Sequence, residues 1–167
     1  LSLAMLALAI TPGPGVAATV SCALGRGFRS SVWMIAGIVI GDLIYLCLAV
    51  LGLAALASSM GEAFYLVRLI GGGYLIWMGI GMWRKKDFTS HVKPAAGNGQ
   101  GVKSLVAGLL ITLSNPKAIV FYAGFLPAFL DLSTFKAFDL VVAALVVSVV
   151  LTLVMLGYAF FASQASR

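Results

Sequence analysis

Residues 32–57 read VWMIAGIVIGDLIYLCLAVLGLAALA, a run whose single charged side chain belongs to Asp42. A helix that crosses the hydrocarbon core of a bilayer needs roughly 20 mostly apolar residues, and this run exceeds that length. Comparable apolar runs occupy residues 1–24, 64–83, 102–130 and 138–162. The sequence therefore predicts five membrane-spanning helices that are joined by polar loops.

The composition of the whole chain points the same way. Of its 167 residues, 62% are hydrophobic and 10% are charged, and the mean hydropathy is +1.09. Soluble domains average about 45–50% apolar and about 25% charged residues, so a soluble globular protein is excluded. The net charge of +6 comes mainly from basic residues in loops between apolar runs, which indicates membrane orientation rather than nucleic-acid binding. The expected partner of this surface is the lipid bilayer.

The longest polar stretch, residues 84–101, has the basic and glycine-rich composition of a linker. It divides a single transporter domain into a first half, residues 1–83, and a second half, residues 102–167. Because most basic residues fall on the same side as this stretch, the positive-inside rule predicts that the stretch is cytoplasmic and the N-terminus outside. The predicted fold class is an all-α polytopic membrane helix bundle.

Two of the predicted spans are interrupted at membrane depth. The first contains Thr11-Pro12-Gly13-Pro14-Gly15, and the fourth contains Ser114-Asn115-Pro116-Lys117. Proline removes a backbone donor and glycine permits non-helical angles, so neither stretch is expected to be continuous helix. Backbone that is unsatisfied in hydrocarbon costs several kcal/mol per group, so such breaks are tolerated where they are buried in protein or line a wet cavity.

The positions of the breaks predict two inverted halves. Each break lies in the first helix of its half, and three spans separate equivalent positions, so the halves would cross the membrane in opposite directions. Interrupted helices at matching places in inverted halves are a sequence indicator of a transporter site near the midplane. By this symmetry we expect a sixth span to follow Arg167, beyond the five in this chain.

The breaks and one acidic residue supply the candidate site. The N-terminus of a half-helix attracts an anion such as a carboxylate, so residues 11–15 and 115–117 are predicted to bind substrate. Lys117 would add a full positive charge. Asp42 follows Gly37 and Gly41, which allow another helix to approach closely, and it could pair with Lys117 across the bundle. It is the candidate for binding a substrate ammonium, or a proton if its carboxyl is desolvated.

These residues resemble the LysE/RhtB family of bacterial amino-acid exporters, the lysine, homoserine and threonine efflux translocators. The matching pieces are Thr11-Pro12-Gly13-Pro14, Gly41-Asp42-Leu43, Gly73-Tyr74-Leu75-Ile76-Trp77-Met78-Gly79 and Asn115-Pro116-Lys117-Ala118. The resemblance implies a multi-pass exporter in the bacterial cytoplasmic membrane, driven by the proton motive force, with six helices in two inverted halves. Gly15 stands where family members often carry Asn, so this chain lacks a side-chain ligand there.

Other classes of membrane protein fit the residues less well. A thiol-relay oxidoreductase needs a reactive cysteine beside each break, whereas Cys22 and Cys47 both lie in the first half and are interpreted as small buried hydrophobes. An exporter of metal or other inorganic ions needs His, Cys and carboxylate ligands inside the bundle, but His91 lies in a loop. A noncatalytic membrane protein would leave the two charged breaks unexplained.

The sequence thus predicts a secondary transporter that exports amino acids or amino-acid-like solutes by proton antiport. The expected ligands are a small amino acid and protons. No enzymatic reaction, cofactor or metal site is expected. A homo-oligomer is a further expectation, because the glycines at positions 37 and 41 and at positions 71–73 could pack within one bundle or between two.

Overall fold

The computed structural model describes residues 2–60, 73, 100–125 and 136–165. They form α1 (Ser2–Ile10), α2 (Pro14–Arg26), α3 (Phe28–Met60), α4 (Gln100–Leu113), α5 (Pro116–Val120), a π-helical turn (Phe121–Phe125) and α6 (Ala137–Ala165). The described part of the chain contains no strand, and the all-helical membrane fold class is confirmed. The predicted third span, residues 64–83, lies outside the described residues except for Gly73, as does nearly all of the stretch 84–101.

Four of the five predicted spans are represented by these helices. Two helical stretches, Phe28–Gly52 and Ala137–Gln164, are each long and apolar enough to cross a membrane. The first and fourth spans are broken as predicted, because α1 and α2 meet at 54° and α4 and α5 meet at 53°. Pro14 and Pro116 begin α2 and α5, where a missing N–H costs no intrahelical hydrogen bond.

Glycines bring α3 and α4 into close contact. A β-carbon at Gly37 would overlap the backbone carbonyl of Leu105, and a β-carbon at Gly108 would overlap that of Met34. A β-carbon at Gly41 would lie 2.7 Å from Cβ of Thr112. The predicted close approach at Gly37 and Gly41 is therefore found, and it joins two helices of the same bundle.

The helix directions define two ends of the bundle. Nη1 of Arg26 lies 3.4 Å from Oγ of Ser104, so α2 ends beside the start of α4 and α3 begins there as well. We call this the Arg26 end and the opposite one, toward which α3 runs, the Met60 end. Ala23 of α2 shares a buried cluster with Ala159, whereas Met5 shares one with Ala143. Helix α6 therefore runs from the Met60 end to the Arg26 end.

The prediction that both cysteines are buried holds for one of them. Cys22 is buried in α2, but Cys47 is exposed in α3. Its neighbours Leu48 and Leu51 are 61% and 68% exposed, so Cys47 lies on an outward apolar face of the described bundle. The prediction for Cys47 was wrong because hydropathy alone does not distinguish a face that meets lipid from one that packs inside a membrane protein.

Candidate functional site

The two breaks meet at a small cavity in the centre of the bundle. It measures about 40 Å³ and is lined by Leu8, Ala9, Gly13, Gly15, Val16, Ile38, Asp42, Thr112, Asn115, Lys117, Ala118, Leu151 and Met155. The structure thus brings together five of the predicted site residues, from both halves of the chain. The other four, Thr11, Pro12, Pro14 and Pro116, lie beside the cavity in sequence without lining it. The three prolines stand at the helix breaks, and the carbonyl of Thr11 accepts a hydrogen bond from Lys117.

Lys117 connects one break to the other. Its Nζ donates hydrogen bonds of 2.6 Å to the carbonyl of Leu8 and 2.7 Å to that of Thr11. These carbonyls lie at the C-terminal end of α1, where the helix leaves them without intrahelical partners and the helix dipole is negative. The side chain passes over Gly13, where a β-carbon would lie 3.4 Å from Nζ. Lys117 therefore stabilises the break in the first half from a position in the second half.

The predicted direct pairing of Asp42 with Lys117 is not found. Both side chains line the same cavity. The Lys117 ammonium is held instead by the carbonyl of Leu8 in α1 and that of Thr11 just after it. The sequence could not indicate this, because any residue contributes a backbone carbonyl and only the fold decides which carbonyl faces Lys117.

The two half-helix N-termini differ in whether they are capped. The side chain of Asn115 accepts a hydrogen bond of 3.1 Å from the N–H of Lys117, so α5 carries its own cap. Gly13 precedes α2 and has no side chain to accept a bond, so the first-turn N–H groups of α2 have no side-chain cap. Of the two predicted anion sites, the one at α2 is therefore the open one.

Asp42 is the buried acid of the cavity. Its side chain is 4% exposed, and it lines the cavity from α3. The hydroxyl of Tyr122, which is 1% exposed, faces this carboxyl without a hydrogen bond of full geometry between the two groups. The rings of Tyr122 and Tyr45 stack with their centroids 6.0 Å apart. A buried carboxyl beside a hydroxyl can bind a group that donates several hydrogen bonds, such as an ammonium.

The two breaks are built in the same way. The first residue after each half-helix, Thr11 or Ser114, donates its hydroxyl to the carbonyl four residues earlier, at 2.6 Å and 2.7 Å. The last carbonyl of α1, that of Ile10, accepts a hydrogen bond of 2.9 Å from the hydroxyl of Tyr158. The last carbonyl of α4, that of Leu113, accepts a hydrogen bond of 2.6 Å from the hydroxyl of Tyr45. These matched bonds support the prediction of two equivalent halves.

The match extends to the walls of the cavity. Ile38 and Asp42 line it from α3, and Leu151 and Met155 line it from α6 at the same sequence separation that relates Tyr45 to Tyr158. The counterpart of Asp42 is thus Met155, whose sulfur lies 3.9 Å from the Thr19 hydroxyl. The hydrogen bonds at the breaks are repeated in the two halves, whereas the acidic Asp42 of the first half has an uncharged counterpart, Met155, in the second.

Sequence reasoning missed the roles of Tyr45, Tyr122 and Tyr158. Each lies in an apolar run of the sequence, and tyrosine is common at the ends of such runs, near the membrane interfaces. Their position inside predicted spans was the one available signal, because a buried tyrosine hydroxyl needs a partner. For metals, the described residues contain no group of three or more His, Cys, Asp or Glu side chains that could hold an ion.

Comparison with known proteins gives a family. A model of the LysE type translocators matches residues 6–167. An uncharacterized membrane protein of Synechocystis is 37% identical over 97% of this chain and 78% of its own length. A homoserine/homoserine lactone efflux protein of Salmonella typhimurium is 31% identical over 94% of this chain and 76% of its own length. A threonine efflux protein of Escherichia coli is 32% identical over 68% of this chain and 56% of its own length. No solved structure matches.

Proposed function

We propose that this chain, which belongs to the LysE type translocator family, exports an amino acid across the bacterial cytoplasmic membrane in exchange for a proton. The observation that carries the proposal is the cavity itself. It places a buried carboxyl, a lysine and an uncapped half-helix N-terminus around one space, and these are the complements of a zwitterion. The chain acts as one transporter domain, with residues 1–83 and 102–167 as its two halves.

The ammonium of the substrate binds Asp42, and its carboxylate binds at the start of α2. Asp42 offers two acceptor oxygens, and the oxygen of the Tyr122 hydroxyl beside it can accept a further hydrogen bond from the ammonium. The N–H groups of Gly15 and Val16 stand in the first turn of α2, at the positive end of its dipole. The charge of Lys117 lies next to Gly13 and adds attraction for the carboxylate.

The proton and the substrate compete for one carboxyl, and this competition couples their movements. Asp42 either binds the substrate ammonium as a carboxylate or holds a proton, and each state leaves the buried group without uncompensated charge. An unpaired carboxylate at this depth is costly, so the empty, ionised carrier does not change sides. One substrate therefore leaves for each proton that enters.

The size of the cavity requires the bundle to move. A volume of about 40 Å³ admits a few water molecules, since one water needs about 10–15 Å³. An amino acid is larger, so the halves must separate on one side for it to enter and on the other for it to leave. The broken helices are the hinges of this rocking motion, as in other transporters with inverted halves.

The apolar wall of the cavity receives the side chain of the substrate. Ile38, Leu151 and Met155 line the cavity with apolar side chains, and the ends of Ile38 and Met155 lie beside Gly15. Such a wall suits a small neutral side chain. Relatives named for the efflux of homoserine, leucine and threonine agree with a neutral substrate of this size.

Proteoliposome counterflow tests the proposal. Vesicles are loaded with one unlabelled amino acid from a panel, and the entry of the same labelled amino acid is followed with and without a pH gradient. We expect accumulation for a subset of neutral amino acids. Asp42→Asn should reduce gradient-driven transport by about 10–100-fold, the equivalent of losing a hydrogen bond to a charged group.

Asp139→Asn is the matched control. Asp139 is exposed at the start of α6, and its carboxyl accepts a bond of 2.8 Å from the backbone N–H of Lys136, which an asparagine can also accept. This variant should transport like the wild type. Gradient-driven transport that survives Asp42→Asn unchanged would refute the assignment of Asp42, and the absence of counterflow for every amino acid in folded protein would refute amino-acid export.

A further inference from the structure

Two tyrosine hydroxyls act on the breaks without touching the cavity. A broken helix leaves its last carbonyls without partners in their own helix, and an unsatisfied carbonyl at membrane depth is costly. Tyr158 supplies a donor to the last carbonyl of α1, and Tyr45 supplies one to the last carbonyl of α4. Neither hydroxyl has a part in binding substrate or proton as proposed above.

Each of these hydrogen bonds joins one half of the chain to the break of the other half. Tyr45 belongs to the first half and holds Leu113 of the second, and Tyr158 belongs to the second half and holds Ile10 of the first. A motion of one half against the other must therefore stretch such bonds. Water that enters when one side of the cavity opens can replace the bond on that side.

The two bonds lie on opposite sides of the cavity. Tyr45 is one turn beyond Asp42 on α3, which runs toward the Met60 end. Tyr158 is one turn beyond Met155 on α6, which runs toward the Arg26 end. Since Asp42 and Met155 both line the cavity, one tyrosine stands on the Met60 side and the other on the Arg26 side.

We infer that Tyr45 and Tyr158 are the positioning residues of two gates, each of which is held closed by one tyrosine hydroxyl. Tyr45 closes the Met60 side and Tyr158 closes the Arg26 side. Both bonds are present in this structure, and the cavity between them is too small for an amino acid, so both gates are closed. The inference rests on the alternating access of the proposed function and adds what holds each side shut.

Tyr45→Phe and Tyr158→Phe test the gates, because each removes one hydroxyl and keeps the ring. The reporter is Thr112→Cys in a background with Cys22→Ala and Cys47→Ala, since Thr112 lines the cavity and is 2% exposed. A membrane-impermeant methanethiosulfonate reagent is added to right-side-out or inside-out vesicles, and the labelling rate is measured from each face. Gel filtration confirms that each variant is folded.

Tyr45→Phe should raise labelling from the Met60 side by about two- to tenfold without raising it from the Arg26 side, because a neutral hydrogen bond of this kind is lost. Tyr158→Phe should do the reverse, and the double variant should raise both rates. Ser30→Ala is the control, since the hydroxyl of Ser30 donates to the carbonyl of Arg26 across the junction of α2 and α3, and Ser30 does not line the cavity.

The outcomes separate this inference from the proposed function. If the reporter protein with both tyrosines intact is labelled from one face alone, whatever amino acid or pH gradient is applied, alternating access itself is refuted. Suppose instead that the reporter with both tyrosines intact is labelled from either face, and that each single tyrosine variant raises both labelling rates equally or raises neither. That result would refute the two gates and leave the proposed function standing.

Discussion

Replacing Gly37 by alanine should separate α3 from α4. The added β-carbon would overlap the carbonyl oxygen of Leu105 and lie 2.9 Å from the backbone nitrogen of Leu109, and neither backbone atom can turn aside as a side chain would. Ordinary contacts between non-bonded atoms are about 3.5–4.0 Å, so the helices must move apart by about 1 Å. A gap of that size forfeits up to about half of the attraction of each contact along the crossing.

The expected loss is about 2–3 kcal/mol of unfolding free energy, at the upper end of the range for overpacking. Alanine favours a helix over glycine by about 0.5–1 kcal/mol, which offsets only part of this loss. Gly52→Ala is a matched control in the same helix, because nothing lies within 4 Å of the β-carbon it would add. It should be neutral or stabilising by about 0.5–1 kcal/mol.

Both variants are compared with the wild type in detergent, by the folded fraction that remains in gel filtration after heating and by reversible unfolding in denaturing detergent. If Gly37→Ala is as stable as Gly52→Ala, the crossing of α3 and α4 is not as close as the structure has it. The same result would remove the reason for a glycine five residues before Asp42.

The remaining predictions concern the breaks and use the same unfolding measurements. Asn115→Ala removes the cap of α5 and should cost about 1 kcal/mol, whereas Asn115→Asp keeps an acceptor and should stay close to the wild type; equal losses would show that the cap adds nothing. Lys117→Met leaves the carbonyls of Leu8 and Thr11 without their donor and should cost about 2–4 kcal/mol, whereas Lys103→Met at an exposed position should be neutral. Similar values for the two lysine variants would contradict the role given to Lys117.

The features that were predictable from the sequence are those set by local chemistry. Pro14 and Pro116 lack an N–H, so they could begin a helix but not continue one, and the breaks follow from this. The glycines before Asp42 mark a close crossing because no other residue leaves the backbone bare. The position of Asp42 at the cavity followed from the cost of placing an acid at that depth.

The features that were missed depend on which atoms the fold brings together. Lys117 binds the carbonyls of Leu8 and Thr11, and every residue has a carbonyl, so no pattern in the sequence could distinguish these two. The same holds for the acceptors of Tyr45 and Tyr158. For Cys47, an apolar neighbourhood was interpreted as burial, although lipid-facing and buried positions of a membrane helix are equally apolar.

The donors of the first break are made long after the break itself. The carbonyls of Leu8 and Thr11 bind Lys117, which follows them in the sequence by 109 and 106 residues. The carbonyl of Ile10 binds Tyr158, which follows it by 148 residues. At about 5–20 residues per second, a ribosome needs roughly 7–30 s to reach Tyr158. All three of these hydrogen bonds can therefore be in place only after the last described helix has been made, so the first break is completed late in synthesis.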